Sequence, residues 1–102
     1  MTMKKQSGTL ELGTAVLVTT AHRGVFFGYF ASIDGDTITL TNTRNCLYWP
    51  SAQKGFLGLA TAGPLDGSRV GPKADRVTYY AVTAVALVSE VAIARWEVQP
   101  WS

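Results

Sequence analysis

The residues best suited to chemistry lie between positions 44 and 73. Arg44-Asn45-Cys46-Leu47-Tyr48-Trp49 sets a guanidinium, an amide and two large aromatic rings within six residues. A guanidinium presents a planar fork to phosphate oxygens. Tyr48 and Trp49 present ring faces on which a base stacks, worth about 1–3 kcal/mol per base. Asn45 has the paired donor and acceptor that read an adenine edge. The stretch 55–72 then carries glycine at 55, 58, 63, 67 and 71, and backbone N–H groups in such a stretch can line an anion-binding concavity. Arg69 and Lys73, with Arg76 beyond, bring positive charge near its end, and His22-Arg23 bring more from an early turn. The expected ligand-binding set is Arg44, Asn45, Tyr48, Trp49, Arg69, Lys73, His22 and Arg23. A plainer reading stands beside it. Tyr48 and Trp49 are core aromatics, Cys46 is a small buried hydrophobe, the glycines serve tight turns and the cations are solvated.

Catalytic groups are scarce. The chain has one histidine and one cysteine, whereas structural zinc sites take about four N or S ligands and catalytic ones about three. No metal and no cofactor is expected. A Ser-His-Asp arrangement would rest on His22, and no G-x-S-x-G surrounds any serine. Asp34 and Asp36 flank Gly35 and read as turn formers rather than an acid/base pair. Neither G-x-x-x-x-G-K-[ST] nor G-x-G-x-x-G occurs, and residues 67–73 are only superficially similar to a phosphate-binding loop. Binding, not catalysis, is the expected activity, with no catalytic residue.

These side chains need a scaffold, and its pattern is mainly β. Residues 1–13 read as a flexible lead-in, and 14–102 as one domain. Thr14 to Thr20 is dense in β-branched residues and predicts a strand. A turn over residues 21–24 leads to a second strand from Val25 to Ser32, where Gly28 marks a bulge or a close backbone approach. Asp34-Gly35-Asp36 predicts a tight turn into the alternating Thr37–Thr41 strand. Together they form an antiparallel meander of the kind that begins a small SH3-like or Sm-like barrel. The pattern breaks after Asn42. Residues 55–72 read as neither helix nor strand but as an ordered, glycine-rich loop, since Phe56, Leu57, Leu59 and Leu65 need burial. Arg76 to Val88 predicts a long strand or a bent strand pair. Ser89 caps a short helix through about Val98, with Ala92, Ile93 and Trp96 on one face and Pro100 as its stop. Of Tyr79 and Tyr80, one belongs to the core and the other is available. Trp101 has no home within one subunit and is expected against a neighbour.

The chain of 102 residues is 47% hydrophobic and 16% charged, and its mean hydropathy is +0.14. Charged residues make up about 25% of an average globular domain. So apolar a surface predicts a homo-oligomer. The net charge of +2 lacks the dense basic stripe of a strong nucleic-acid binder, which makes nucleic acid the lesser partner. No apolar run is long enough to span a bilayer, and a lone cysteine suits a reducing cytoplasm.

The sequence His22-Arg23-Gly24-Val25-Phe26-Phe27-Gly28, the 44–49 segment, Gly58-Leu59-Ala60, Gly63-Pro64, Arg69-Val70-Gly71-Pro72 and the closing Trp96-Glu97-x-x-Pro100-Trp101 carry a resemblance. Over roughly residues 14 to 101 the chain resembles a family of small, mostly uncharacterised bacteriophage proteins. That resemblance imports no catalytic residue. It implies kinship in type with counter-defence "sponges", which sequester the cyclic or ADP-ribose-derived nucleotide signals of host immunity in the infected cell's cytoplasm. An Sm-like single-stranded nucleic-acid binder and a protein–protein inhibitor or accessory protein are the alternatives.

Overall fold

Val16, Leu17 and Val18 are consecutive in the first strand, β1 (Ala15–Thr20), and all three are fully buried. Successive strand side chains point to opposite faces, so β1 is covered on both sides. The computed structural model describes residues 10–22 and 24–100. The lead-in expected over 1–13 therefore falls largely outside the described residues, as do Arg23 and Trp101. After β1 come β2 (Val25–Asp34), β3 (Thr37–Tyr48), a 3-10 turn (Ser51–Gln53), α1 (Gly55–Ala62), β4 (Arg69–Val70), β5 (Ala74–Tyr79), β6 (Val82–Leu87) and α2 (Glu90–Val98).

The six strands of the described residues make one antiparallel sheet in the order β4-β3-β2-β1-β6, with β5 beside β4 along β3. The mainly β meander is present as expected, turned at Gly35 in the left-handed region (φ 61°). Gly28 is the anticipated bulge. The register slips between Phe27 and Tyr29, and a Cβ there would lie 2.9 Å from the Cβ of Leu40. β3 departs from the sequence reading. It does not end at Asn42 but absorbs that residue at φ 45° and runs on to Tyr48. Alternation resumes beyond the bulge, so Arg44-Asn45-Cys46 is strand rather than loop.

Two apolar layers follow from the two covered faces. On one side Leu17, Val25, Phe27 and Cys46 meet Leu59 and Ala60 of α1 and Ala92 and Trp96 of α2. Trp96 stacks on Phe27 at 5.1 Å with the rings 2° from parallel. On the other side Val16, Val18, Phe30, Ile38 and Leu40 pack together, with Tyr79, Val82 and Val85 against them. The predicted 76–88 segment is a bent pair. β5 lies on β3, β6 lies on β1, and Ala81 (φ 57°) turns the chain between them. No hydrogen-bonded ladder joins β5 to β6 among the described residues. The sheet is thus an open, strongly curled one whose two edges meet through Tyr80-Ala81.

The reading of 55–72 as an irregular loop is corrected by α1. Gly55–Ala62 is helical because Leu57, Leu59, Ala60 and Ala62 favour it, and only Gly58 lies in its interior. Gly58 is there for space. A Cβ at that position would lie 1.7 Å from the Gln53 carbonyl oxygen. α2 matches its expected span. Ser89 Oγ accepts the Ala92 N–H at 3.1 Å and donates to the Thr61 carbonyl at 2.7 Å, so one cap starts α2 and ties it to α1. No described helix is long and apolar enough to cross a membrane.

Candidate ligand-binding site

Arg44 is the expected phosphate fork, but its side chain is only 3% exposed. On β3, with Cys46 two residues on, it points under α2. Its Nε donates to the Gly71 carbonyl at 2.8 Å and one Nη donates to the Trp96 carbonyl at 2.6 Å. A cation at the C-terminal carbonyls of a helix is favourably placed. Burial lowers the guanidinium from its ordinary value, opposed by the nearby Glu97 carboxylate. Arg44 therefore ties the 71–73 segment and the end of α2 to the sheet.

Glu97 gathers the neighbouring charges. Lys73 Nζ and the Tyr29 hydroxyl both donate to its carboxylate. Those two bonds, and the charges of Lys73 and Arg44, hold Glu97 below the ordinary 4.5 against the opposing effect of burial. Burial first, then the bond to Glu97, pushes the Tyr29 phenol well above its ordinary value. A carboxylate whose folded value lies below its unfolded one stabilises fully above the unfolded value and loses that contribution as pH falls through the folded value. The wild-type melting temperature should fall on acidification from about pH 5 to about 3, and Glu97→Gln should flatten that decline. Thermal melts across that range check it; equal slopes would remove Glu97 from the account.

The other expected residues divide in two. Asn45 lies against the 71–73 segment: its main-chain carbonyl accepts the Gly71 N–H at 2.8 Å, and its side-chain oxygen fills the space of a Gly71 Cβ. Trp49 packs against the helix-side core. Burial raises the Cys46 thiol to about 11, so it is protonated at neutral pH. Tyr48 and Arg69, in contrast, are cross-strand partners on β3 and β4, and both face solvent. The ladder is irregular between Cys46 and Tyr48, and beyond that irregularity it places an exposed phenol and an exposed guanidinium on neighbouring strands. His22 is exposed in the β1–β2 turn, where the Ala21 N–H donates to the Ala81 carbonyl. Arg23 lies outside the described residues.

Two elements of this region were missed from sequence. Gln53 is 2% exposed. Its Nε2 donates to the Gly63 carbonyl at 2.6 Å, and its Oε1 accepts the Leu65 N–H at 2.8 Å and the Ser68 hydroxyl at 3.3 Å. The rest of the glycine-rich segment is thus ordered around one amide. Beyond it a shallow groove of about 330 Å³ is lined by Pro64, Leu65, Asp66, Arg95, Val98 and Gln99. The expected loop supplies half of that lining and the 44–49 segment none. The helical periodicity of 90–98 marked the Ala92, Ile93 and Trp96 face and carried no signal that Arg95 and Glu97 would meet this loop. Among the described residues no three His, Cys, Asp or Glu side chains cluster as a metal site.

Residues 13–96 match the model of a family described as a domain of unknown function, DUF6948. No curated protein and no solved structure matches.

Proposed function

The chain belongs to the DUF6948 family of domains of unknown function, and from that premise we propose that it is a non-catalytic binding protein for a small nucleotide-derived ligand. The observation that carries the reading is the solvent-facing Tyr48–Arg69 pair. It offers what an adenine and a phosphate require, a stacking face and a bidentate cation, on neighbouring strands. Arg44, Asn45 and Trp49 support the pair from behind by fixing β3 against α2 and the 71–73 segment. With catalytic groups scarce in the sequence, the reading is sequestration. That accords with the phage-type resemblance and with a cytoplasmic sponge for a cyclic or ADP-ribose-type immune signal.

A thermal-shift panel of cyclic dinucleotides, ADP-ribose, cyclic ADP-ribose derivatives and AMP tests this. A ligand at a hundred times its Kd stabilises by about 2.7 kcal/mol. For a domain of this size each kcal/mol raises Tm by about 4–8 °C. For whichever member binds, Tyr48→Ala and Arg69→Ala should each weaken affinity about 5- to 150-fold, the equivalent of about 1–3 kcal/mol, with the melting temperature of the free protein unchanged. A panel with no shift at millimolar concentration rejects the proposal.

The strand order, with its edges joined through a two-residue turn, favours a second reading as an Sm-like binder of single-stranded nucleic acid. Steeply salt-dependent binding of oligonucleotides, absent for mononucleotides, would select it.

A further inference from the structure

We propose that the groove between the 63–68 loop and the last turn of α2 binds a small zwitterion, an amino acid or dipeptide with an apolar side chain and both termini free. The Tyr48–Arg69 reading makes no use of this groove, whose lining includes neither of those residues. At about 330 Å³ it stands at the small end of ligand sites. Its walls are fixed before anything binds. Gln53 holds the loop through the Gly63 carbonyl, the Leu65 N–H and the Ser68 hydroxyl. Arg95 is fastened to the end of α1 by one Nη, which donates to the Ala62 carbonyl at 3.0 Å. A site built in advance loses little freedom on binding.

The lining is divided by chemistry. Pro64, Leu65 and Val98 supply apolar surface, and Val98 leaves 77% of its own surface open. Asp66 and Arg95 bring opposite charges to the same groove without pairing with each other; among the described residues the only ion pair is Lys73 with Glu97. That separation selects the occupant. A simple anion would meet the Asp66 carboxylate, and a simple cation the Arg95 guanidinium. A wholly apolar molecule would take water from both charges and return no partner. A zwitterion satisfies the two together. Its carboxylate accepts from the guanidinium N–H groups that the Ala62 carbonyl leaves over, and its ammonium donates to Asp66. Gln99 follows the last turn of α2, where unpaired helix carbonyls also favour a cation. The apolar side chain then lies on Val98 and Leu65.

An NMR titration of the full chain tests the site with four probes: leucine, leucyl-leucine, N-acetylleucine and leucinamide. Leucine or leucyl-leucine should move the amide signals of Leu65, Asp66, Val98 and Gln99, with half-saturation at about 1 mM, and leave those of Tyr48 and Arg69 in place. N-acetylleucine lacks the ammonium and leucinamide the carboxylate, so each should bind about tenfold more weakly or worse. Asp66→Asn should cause the same loss with the melting temperature unchanged, since that residue is exposed. Arg95→Gln should do so too; because it also gives up the Ala62 bond, the two blocked analogues carry the test if that variant does not fold. The proposal is overturned if neither zwitterion moves those amides at tens of millimolar, or if the blocked analogues bind as well as leucine. The nucleotide panel reads a different set of residues, so either reading can fail while the other holds.

Discussion

Trp96→Ala is expected to remove about 3–5 kcal/mol from the unfolding free energy, the range for deleting a buried large aromatic. The indole is fully buried and stacked on Phe27. Its Nε1 also donates to the Leu59 carbonyl at 3.2 Å, so one side chain joins α2, α1 and the sheet. Domains of this size hold about 5–15 kcal/mol in all. The substitution therefore takes about a fifth or more of the total, and Tm should drop by about 15–30 °C. Trp96→Phe keeps a ring against Phe27 and loses only the indole bond, since the Leu59 carbonyl still accepts the Gly63 N–H at 3.1 Å, so the missing bond should cost about 0.5–1.5 kcal/mol. Denaturant unfolding of both variants gives the ordering. An alanine variant within 1 kcal/mol of the phenylalanine one would mean that the hydrogen bond, not the packing, holds the helix layer.

Gln53→Leu is the second large effect, and it acts by a different route. Leucine is of similar volume but branches one carbon earlier, so most of the buried space stays filled while every polar contact is lost. The Gly63 carbonyl, the Leu65 N–H and the Ser68 hydroxyl all lose their partner. A buried group left unsatisfied costs about 1–3 kcal/mol. Three such groups, with Leu65 open enough to recover some water, bring the expected loss to about 3–5 kcal/mol. Hydrogen exchange should quicken first at Leu65, while the Phe27 and Leu17 amides hold. The groove at Pro64, Leu65 and Asp66 should lose its shape in the same variant. Stability within about 1 kcal/mol of wild type would show that the loop holds itself without this amide.

The parts of this fold legible in the sequence are those where one local signal dominates. Thr37–Thr41 alternates because Ile38 and Leu40 enter one apolar cluster, while the threonines face the other side, where Thr39 bonds Thr78. Ser89 reads as a cap because its hydroxyl has no better use than the Ala92 N–H. Gly28 reads as a bulge because a strand tolerates glycine poorly without reason. What was not legible depends on distant partners. Asn42 looked like a terminator, yet tertiary packing carries β3 through it to Tyr48. Gly58 looked like a breaker, and only the Gln53 carbonyl beside it explains its presence inside a helix. The site divided in the same manner. Arg44 and Arg69 are indistinguishable as letters, but one lies under the last turn of α2 and the other faces water. No spacing rule could announce that Tyr29, Lys73 and Glu97 would share one carboxylate. The three are separated by long stretches of chain.

The pairing of β1 with β6 sets a timetable for the newly made chain. Val16 must wait for Leu87, which leaves the ribosome about 3–15 s later at an ordinary synthesis rate. Through that interval the first hairpin exists with Leu17 and Phe27 uncovered, because Trp96 is later still. A ribosome stalled before residue 82 would therefore hold out an apolar ribbon, open to any strand nearby. Strand β6 and helix α2 act as a release step, converting a hairpin prone to association into a covered sheet.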